Sequence, residues 1–290
     1  MTKKLILGTV QFGLNYGINN SIGQTNESEV FRILDYSKEL KISRLDTAAA
    51  YGSSEERIGN YLKTVKGEDN FRIITKFNLK NGLRLIDSID QSRTRLNVNC
   101  VDTIMFHNFD DFKNTQQSEL NALLELKGKK FLNLGISLYT NEQVHEVCDT
   151  EIFNIIQLPF NALDNHNLRG DVLSKLKNKG IETHIRSVFL QGLFFIDFNN
   201  LPKKLKPLEK YLRMLAYLAI ENKVTIESLA LQYCLSKDYI DGVLVGVDNL
   251  DQLKRNIFSL NNKIPYEVFN EIDNIKVDEI ELLNPATWNQ

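Results

Sequence analysis

The chain has 290 residues, with 35 Lys and Arg against 37 Asp and Glu and a formal net charge of −2. This near-neutral balance, without a clustered basic face, argues against a nucleic-acid partner. No apolar stretch approaches the roughly 20 residues of a membrane helix, so we expect no membrane partner. Three widely spaced cysteines form no disulfide framework or zinc pattern. We therefore expect reduced thiols, no metal site and a cytoplasmic location.

Short apolar runs recur along the chain, and each is followed by a longer segment with helical spacing. In the segment 28–40, for example, Val30, Ile33 and Leu34 fall on one face of a helix. Thr140 or Asn141 is a candidate cap of a later helix. The predicted strands are 5–8, 44–47, 73–76, 103–107, 132–137, 155–159, 184–187 and 243–246.

Strands that alternate with helices are typical of a parallel sheet. With eight strands in a chain of this length, we predict an α/β fold in which residues 1–290 form a single (β/α)8 TIM barrel. A doubly wound open sheet is the alternative. Neither of its usual phosphate loops, GxGxxG after a strand or GxxxxGK[ST], occurs in the sequence. The long segment 194–210 follows strand seven, where barrels often carry an active-site loop.

Ionisable residues lie at the ends of three consecutive predicted strands. Asp46 ends strand two, and Tyr51 follows in the next loop; Lys76 ends strand three and His107 ends strand four. Each residue alone has a plain structural explanation, as a turn cap, a packing residue, an exposed strand end or a buried histidine. Because barrel enzymes carry their chemistry at the carboxyl ends of the strands, the four together favour an active site.

The four residue types are chemically consistent with proton transfer to an oxygen. A tyrosine has a pKa near 10 and is a poor acid at neutral pH, but an adjacent ammonium group would lower that pKa. Asp46 would keep Lys76 charged and in place. A neutral His107 could hydrogen-bond a carbonyl oxygen and orient it. This set indicates a general acid directed at an oxygen that gains negative charge.

The segments DTAAAYGSSEERIG, ITKF, MFHN, GIS and QLPFN occur in this order. In this respect the chain resembles the aldo/keto reductase superfamily from Leu7 to about Asn256. The resemblance implies a (β/α)8 barrel that binds NADPH or NADH across its mouth and reduces an aldehyde or ketone. It implies Tyr51 as the general acid, Lys76 and Asp46 as its tuning groups, and His107 as the residue that orients the carbonyl. It also implies a helix that starts at SSEERIG, where Ser53 and Glu56 fit a capping box.

The resemblance further implies where the cofactor lies. Ser137 and Gln157 would lie near the nicotinamide carboxamide, 187–192 along the pyrophosphate, and 246–256 around the adenosine. The implied cofactor-binding residues are Thr9, Ser137, Gln157, Arg186, Ser187, Val188, Leu190, Gln191, Gly192, Gly246, Asp248, Gln252 and Asn256.

Three positions depart from the family pattern. Leu138 replaces the usual Asn after the strand-five serine, and Arg186 replaces an aromatic residue that stacks on the nicotinamide, although a guanidinium plane can also stack. Asp248 stands where many relatives have Ser, Thr or a basic residue near the 2′-phosphate. Its carboxylate would repel that phosphate and could accept a hydrogen bond from a free 2′-hydroxyl. We therefore expect a weakened preference for NADPH. In the alternative, Asp248 faces solvent and Lys254 or Arg255 meets the phosphate.

The sequence leaves several alternatives open for the substrate and for the function. The pattern RSVFLQG resembles a branch of the superfamily associated with bacterial sugar and polysaccharide biosynthesis, which implies a keto sugar or nucleotide sugar as the small-molecule substrate. Trp288 either lies over the pocket or covers an edge of the barrel. We expect a monomer or weak homo-oligomer. Two other functions stay open: a Schiff-base aldolase or isomerase that uses Lys76, and a non-catalytic NAD(P)H-binding sensor.

Overall fold

The computed structural model describes residues 2–65, 71–79 and 82–288. Eight parallel strands pair with their neighbours in chain order, and the last pairs with the first to close a barrel. The predicted (β/α)8 TIM barrel is confirmed, with small shifts in strand boundaries. The strands are β1 Leu5–Gly8, β2 Arg44–Asp46, β3 Arg72–Lys76, β4 Val101–Phe106, β5 Phe131–Ser137, β6 Ile155–Pro159, β7 Glu182–Arg186 and β8 Gly242–Gly246.

Helices connect the strands and surround the barrel. They are α1 Val10–Gly13, α2 Glu27–Glu39, α3 Ser54–Thr64, α4 Leu85–Leu96, α5 Phe109–Lys113, α6 Gln117–Leu124, α7 Asn141–Val147, α8 His166–Asn178, α9 Glu209–Glu221, α10 Ile226–Ser236, α11 Leu250–Ser259 and α12 Tyr266–Asp273. Short 3-10 turns at Leu190–Phe195, Phe198–Asn200 and Lys203–Leu208 fill the long connection after β7. Within the described ranges, none of the helices has both the length and the apolar character that crossing a bilayer requires.

The buried strand residues divide between two apolar clusters, and this division shows which way each side chain points. A small cluster contains Ile6, Ile74, Met105, Ile155 and Leu244, one from each of five strands. Their buried apolar neighbours in the sequence belong to the large cluster that includes helix residues. Successive side chains of a strand point to opposite faces of the sheet. The small cluster therefore fills the inside of the barrel, and the large cluster lies between the strands and the helices.

Of the two helix caps predicted from the sequence, the one before α7 is present and the one before α3 is not. Thr140 caps α7, and its side chain forms a full capping box with Gln143. Ser53 precedes α3 but makes no capping hydrogen bond, so the capping box predicted there is wrong. Its ψ of 10° is not the extended geometry that a capping side chain requires. Its hydroxyl instead accepts a hydrogen bond of 2.8 Å from Gln24 Nε2.

Candidate active site

A cavity of about 540 Å³ opens at the carboxyl ends of the strands. All four predicted catalytic residues line it. The predicted cofactor-binding residues that line it are Thr9, Ser137, Gln157, Arg186, Ser187, Val188, Gln191, Gly192, Gly246, Asp248, Gln252 and Asn256. Leu190 is the exception. Its side chain is fully buried in the large apolar cluster, because the chain turns through a left-handed conformation there and directs it away from the cavity.

The strand alternation brings the polar side chains to this place. Lys76 and Gln157 lie two positions after Ile74 and Ile155 of the inner cluster, so they face the inside of the barrel at its mouth. Asp46 follows Leu45 of the outer cluster and also points inward. A parallel barrel aligns the ends of β2, β3 and β6 in one layer, which explains how residues far apart in sequence meet.

Asp46 forms the centre of a buried polar network. Its Oδ1 accepts a hydrogen bond of 2.5 Å from Lys76 Nζ, and its Oδ2 accepts one of 2.7 Å from Gln157 Nε2. Lys76 Nζ also donates to the carbonyl oxygen of Thr47 at 2.9 Å. Lys76 and Asp46 side chains are 1% and 3% exposed. Both carboxylate oxygens are thus engaged, and the ammonium group is held in one position.

Tyr51 lies above this network. Lys76 Nζ is 5.1 Å from the centroid of its ring. The ring of His107 approaches Tyr51 edge-on, with centroids 5.8 Å apart and planes at 79°. The backbone of Tyr51 is fixed by hydrogen bonds from its own N–H to Ala48 and from Ser54 to its carbonyl oxygen. The loop therefore presents the phenol to the cavity between an ammonium and an imidazole.

The pKa of Tyr51 differs from the value expected from the sequence. Removal from water raises the pKa of Tyr51 above its usual value, and the nearby Lys76 ammonium only opposes that rise. The predicted net lowering of the phenol pKa is wrong, because burial outweighs the charge. Burial alone would lower the pKa of Lys76, but Asp46 and Tyr51 raise it above its usual value. At neutral pH Tyr51 is therefore a protonated phenol beside a charged ammonium.

Two loops meet over the cavity, one after α1 and one after β7, and no residue of the first was predicted from the sequence to contact a ligand. Gln191 Nε2 in the loop after β7 donates to Tyr16 Oη at 2.8 Å, and the Ile18 N–H donates to the Gln191 carbonyl at 3.2 Å. Tyr16, Asn19 and Asn20 from the loop after α1 line the cavity. The available signal was the polar and aromatic run LNYGINN directly after β1 and α1.

Arg186, at the end of β7, is half-buried in the cavity wall. Its guanidinium lies over the ring of Tyr139, with Cζ 4.1 Å from the centroid. Its Nη2 donates to the carbonyl oxygen of Leu138 at 3.1 Å. The two residues that depart from the family pattern after β5 and in β7 are thus in direct contact, and Tyr139 covers one face of the guanidinium plane.

Asp248 also lies in the cavity wall and is half-buried rather than solvent-facing. Burial raises the pKa of its carboxyl group. Gln252 holds it on both sides, donating to Oδ2 at 2.9 Å and accepting from the Asp248 N–H at 2.7 Å. Arg255 lines the same cavity, whereas Lys254 lies over the ring of Tyr36. A carboxylate and a guanidinium are therefore both present at this end.

The residues of the cavity fit a nicotinamide nucleotide. Gln11 Oε1 is buried and has no hydrogen-bond partner in the described part of the chain, although Gln11 lines the cavity. A buried acceptor without a donor is rare in proteins and is suited to a ligand N–H or O–H group. Gly246 leaves room for this amide, since a Cβ there would lie 2.8 Å from Gln11 Oε1.

The sole tryptophan lies away from this cavity. Trp288 Nε1 donates to the carbonyl oxygen of Leu282 at 2.9 Å, and the side chain packs against the large apolar cluster. Trp288 thus covers an edge of the barrel. From the connection after β7, Phe195 does reach the cavity wall.

Comparison with known proteins gives consistent results. An L-glyceraldehyde 3-phosphate reductase of Escherichia coli (strain K12) is 27% identical over 292 aligned positions, which cover 86% of this chain and 84% of that protein. An aldo-keto reductase of Strobilurus tenacellus is 28% identical over 188 positions, 61% of this chain and 54% of that protein. The holo form of an aldo-keto reductase from Bacillus halodurans superposes with a TM-score of 0.74 at 21% identity, over 96% of this chain and 94% of that one.

The last of these similarities supports the fold alone. The model of the Aldo/keto reductase family itself matches residues 4–277, nearly the whole chain. The chain belongs to the aldo/keto reductase family of oxidoreductases.

Proposed function

We propose that the protein reduces an aldehyde or ketone to an alcohol, with NADPH or NADH as the hydride donor and Tyr51 as the general acid. The observation that carries this proposal is the buried Lys76–Asp46 pair, 2.5 Å apart, directly below the phenol of Tyr51. An acid that acts on a carbonyl must be protonated before the reaction and stabilised as its anion afterwards. The raised pKa of Tyr51 meets the first condition, and the ammonium of Lys76 meets the second.

When bound, the nicotinamide supplies a hydride to the carbonyl carbon. Negative charge then develops on the carbonyl oxygen, and Tyr51 Oη transfers its proton to that oxygen. Lys76 stabilises the phenolate that is left, and Asp46 keeps Lys76 charged and oriented. His107, beside the ring of Tyr51, hydrogen-bonds the same oxygen and fixes the orientation of the carbonyl. Each group acts on the oxygen while its charge forms, so it stabilises the transition state more than the substrate.

The cofactor is held by the cavity wall in this proposal. Gln157 is oriented by its hydrogen bond to Asp46, which leaves its carbonyl oxygen for the carboxamide N–H of the nicotinamide. Ser137 lies beside it at the end of β5. Arg186, whose guanidinium has one face not covered by Tyr139, would help to hold the nicotinamide. The other positions proposed to hold the cofactor are Thr9, Ser187, Val188, Gln191, Gly192, Gly246, Asp248, Gln252 and Asn256.

For the substrate we propose a polyhydroxylated carbonyl compound such as a keto sugar or nucleotide sugar. Asn19, Tyr16 and Phe195 line the cavity. Amide groups suit hydroxyl partners, and aromatic rings suit the apolar faces of a sugar. The Escherichia coli relative is named for a hydroxylated aldehyde, which is consistent with this chemistry.

The Schiff-base alternative finds no support in the geometry. A nucleophilic lysine requires a lowered pKa and a neutral amine. Asp46 and Tyr51 instead raise the pKa of Lys76. No observation favours a sensor without turnover over an enzyme of this family.

The first test is a pair of measurements on wild type and Tyr51→Phe. We expect saturable quenching of protein fluorescence by NADPH or NADH in both proteins. Because the phenol supplies the acid, turnover of a panel of aldehydes and ketones should fall by about 10²-fold or more in the variant. Tyr217→Phe, at an exposed position of α9, is the matched control. Turnover within a few-fold of wild type in Tyr51→Phe would exclude this tyrosine as the acid, and absence of binding of either cofactor would exclude hydride transfer.

A further inference from the structure

Arg186 faces the inside of the barrel mouth, and no carboxylate in the described part of the chain forms an ion pair with it. Ile185 belongs to the outer apolar cluster, so Arg186, the next residue of β7, points inward. Its interactions within the protein are one hydrogen bond to the Leu138 carbonyl and a stack on the Tyr139 ring. A guanidinium carries five N–H donors. Most of its donors are therefore left for a ligand.

Most other shielded arginines of this barrel have carboxylate partners, although Arg57 donates to the backbone carbonyl oxygen of Thr25 instead. Arg44 pairs with Glu182, and Arg95 pairs with Glu55 at 2.7 Å. The buried Arg169 holds Asp164 with two hydrogen bonds, of 2.6 and 3.0 Å. Removing a charge from water is costly unless the charge is paired. Arg186 differs from these three residues, and it is the one that borders the cavity.

The nearby carboxylates are not available to Arg186. Arg186 exerts an electrostatic influence on Asp164, but both oxygens of Asp164 are engaged by Arg169. Asp46 is equally occupied, by Lys76 on one oxygen and Gln157 on the other. Neither of these carboxylates therefore forms an ion pair with Arg186.

The groups around Arg186 are donors as well. Tyr16 Oη already accepts a hydrogen bond from Gln191, so its own O–H can donate to a ligand. The phenol of Tyr51 is a further donor. Burial raises its pKa, and the charges of Lys76 and Arg186 oppose that rise, which shows that Arg186 exerts its field at the proposed reaction centre. This corner of the cavity offers hydrogen-bond donors and a positive charge to whatever is bound beside Tyr51.

We propose that Arg186 determines substrate specificity by binding an anionic group, a carboxylate or a phosphate, that the carbonyl substrate carries near its reacting carbon. This inference rests on the proposed carbonyl reduction and adds the charge of its substrate. The planar fork of a guanidinium matches the oxygens of both groups and can bind them with paired charge-assisted hydrogen bonds. The Tyr139 ring and the Leu138 carbonyl fix the plane in advance, which reduces the entropy lost on binding.

Matched substrate pairs test the proposal. Succinic semialdehyde is compared with its neutral methyl ester, and glyceraldehyde 3-phosphate with glyceraldehyde, so that the two pairs distinguish carboxylate from phosphate. In wild type we expect kcat/KM to be higher for the anionic member of at least one pair by about 10-fold or more. A hydrogen bond to a charged group has an effect of this size. Arg186→Gln should bring that ratio close to one, mainly through KM. Arg186→Lys should keep part of it, because the charge is retained.

Arg72→Gln is the control for overall charge, since Arg72 is exposed at the start of β3, away from the cavity. The ratio of anionic to neutral substrate should not move in this variant. A wild-type ratio near one in both pairs would overturn the proposal. So would a ratio that Arg186→Gln leaves unchanged while NADPH affinity falls, because Arg186 would then serve the cofactor only.

If the protein reduces no carbonyl compound, the proposed function is refuted, but the anion site at Arg186 can still be tested by binding. In that case 4-hydroxybutyrate and glycerol 3-phosphate are titrated calorimetrically against wild type and Arg186→Gln. Binding that the substitution abolishes would support an anion site at Arg186. Absence of binding to wild type, or equal binding to both proteins, would overturn it.

Discussion

The acid strength of Tyr51 is set by two opposing influences that act on a single residue. Removal from water holds its pKa above the usual value, and Lys76 and Arg186 partly offset this effect. The phenol is therefore protonated throughout the neutral range, and a reduction that uses it as an acid needs no pKa near 7. The opposite reaction, alcohol oxidation, needs the phenolate and hence a high pH.

The first prediction at this scale concerns pH. Carbonyl reduction should be independent of pH through the neutral range and decline only as the phenol ionises, above the ordinary pKa of tyrosine. Alcohol oxidation should rise over the same alkaline range. Lys76→Met removes the opposing charge, so the pKa of Tyr51 should rise further, with the alkaline limb shifted upward and reduction slowed by about 10²-fold. A reduction rate that falls instead through pH 6 to 7, near the usual pKa of histidine, would identify His107 as the acid.

A second residue-scale prediction concerns cofactor choice. Asp248 places a half-buried carboxylate in the wall where we propose that the adenosine ribose lies. Its charge opposes a 2′-phosphate and suits a free 2′-hydroxyl. Asp248→Ser should therefore raise the ratio of NADPH to NADH affinity by about 10-fold, as measured by fluorescence titration. If the ratio does not change, Arg255 rather than Asp248 governs this contact.

At the scale of elements, strand ends were predictable and loops were not. Asp46, Lys76 and His107 follow from chain order, because a closed parallel barrel brings the ends of consecutive strands into one layer. Tyr16 was missed because its position depends on tertiary hydrogen bonds, among them the one from Gln191. The side chain of Leu190 points away from the cavity because a left-handed turn within its loop reverses its direction. Periodicity does not encode such turns.

The docking of α1 against the Tyr51 loop leads to a prediction about an element. A Cβ at Gly13 would lie 1.6 Å from the carbonyl oxygen of Tyr51 and 2.6 Å from the backbone nitrogen of Ser54. Gly13→Ala must therefore displace the loop that carries the phenol. We expect a lower Tm and a kcat reduced by about 10-fold or more, because small misplacements of a catalytic group are costly.

Gly180→Ala is the control for this experiment. Gly180 has a positive φ of 71°, and a Cβ at this position would meet no atom within 4 Å. Its substitution should lower Tm through backbone strain alone and leave kcat unchanged. If Gly13→Ala behaves like Gly180→Ala, the loop position does not limit catalysis.

At the scale of the whole molecule, a second ionic cluster lies at the opposite end of the barrel. Arg44 begins β2, and Glu182 begins β7; the two form an ion pair. His184 Nε2 lies 3.0 Å from the same carboxylate of Glu182. Burial would raise the pKa of Glu182, but His184 and Arg44 lower it to about 2. A carboxyl group whose folded pKa is depressed stabilises the fold above its unfolded pKa and loses that effect as pH falls.

From this cluster we predict how the free energy of unfolding depends on pH. Glu182→Gln should reduce the free energy of unfolding at neutral pH by roughly 1–2 kcal/mol, a value discounted for partial exposure. The difference from wild type should shrink as pH falls from about 4.5 towards 2, where the wild-type carboxylate also becomes protonated. Urea unfolding at steps of decreasing pH measures it, with the exposed Glu221→Gln as control. A constant difference over that range would show that the charge of Glu182 is not the cause.

The apolar cluster inside the barrel affects how such a protein can change under selection. The cluster consists of Ile6, Ile74, Met105, Ile155 and Leu244. It separates the Asp46 network at the mouth from the Glu182 cluster at the base, so the two share no partner. Substitutions at sites without shared partners usually have additive energetic effects, to within about 0.5 kcal/mol. A mutation at the base that raises the free energy of unfolding can therefore offset a destabilising mutation at the mouth. This allows the residues at the mouth to change towards a new substrate.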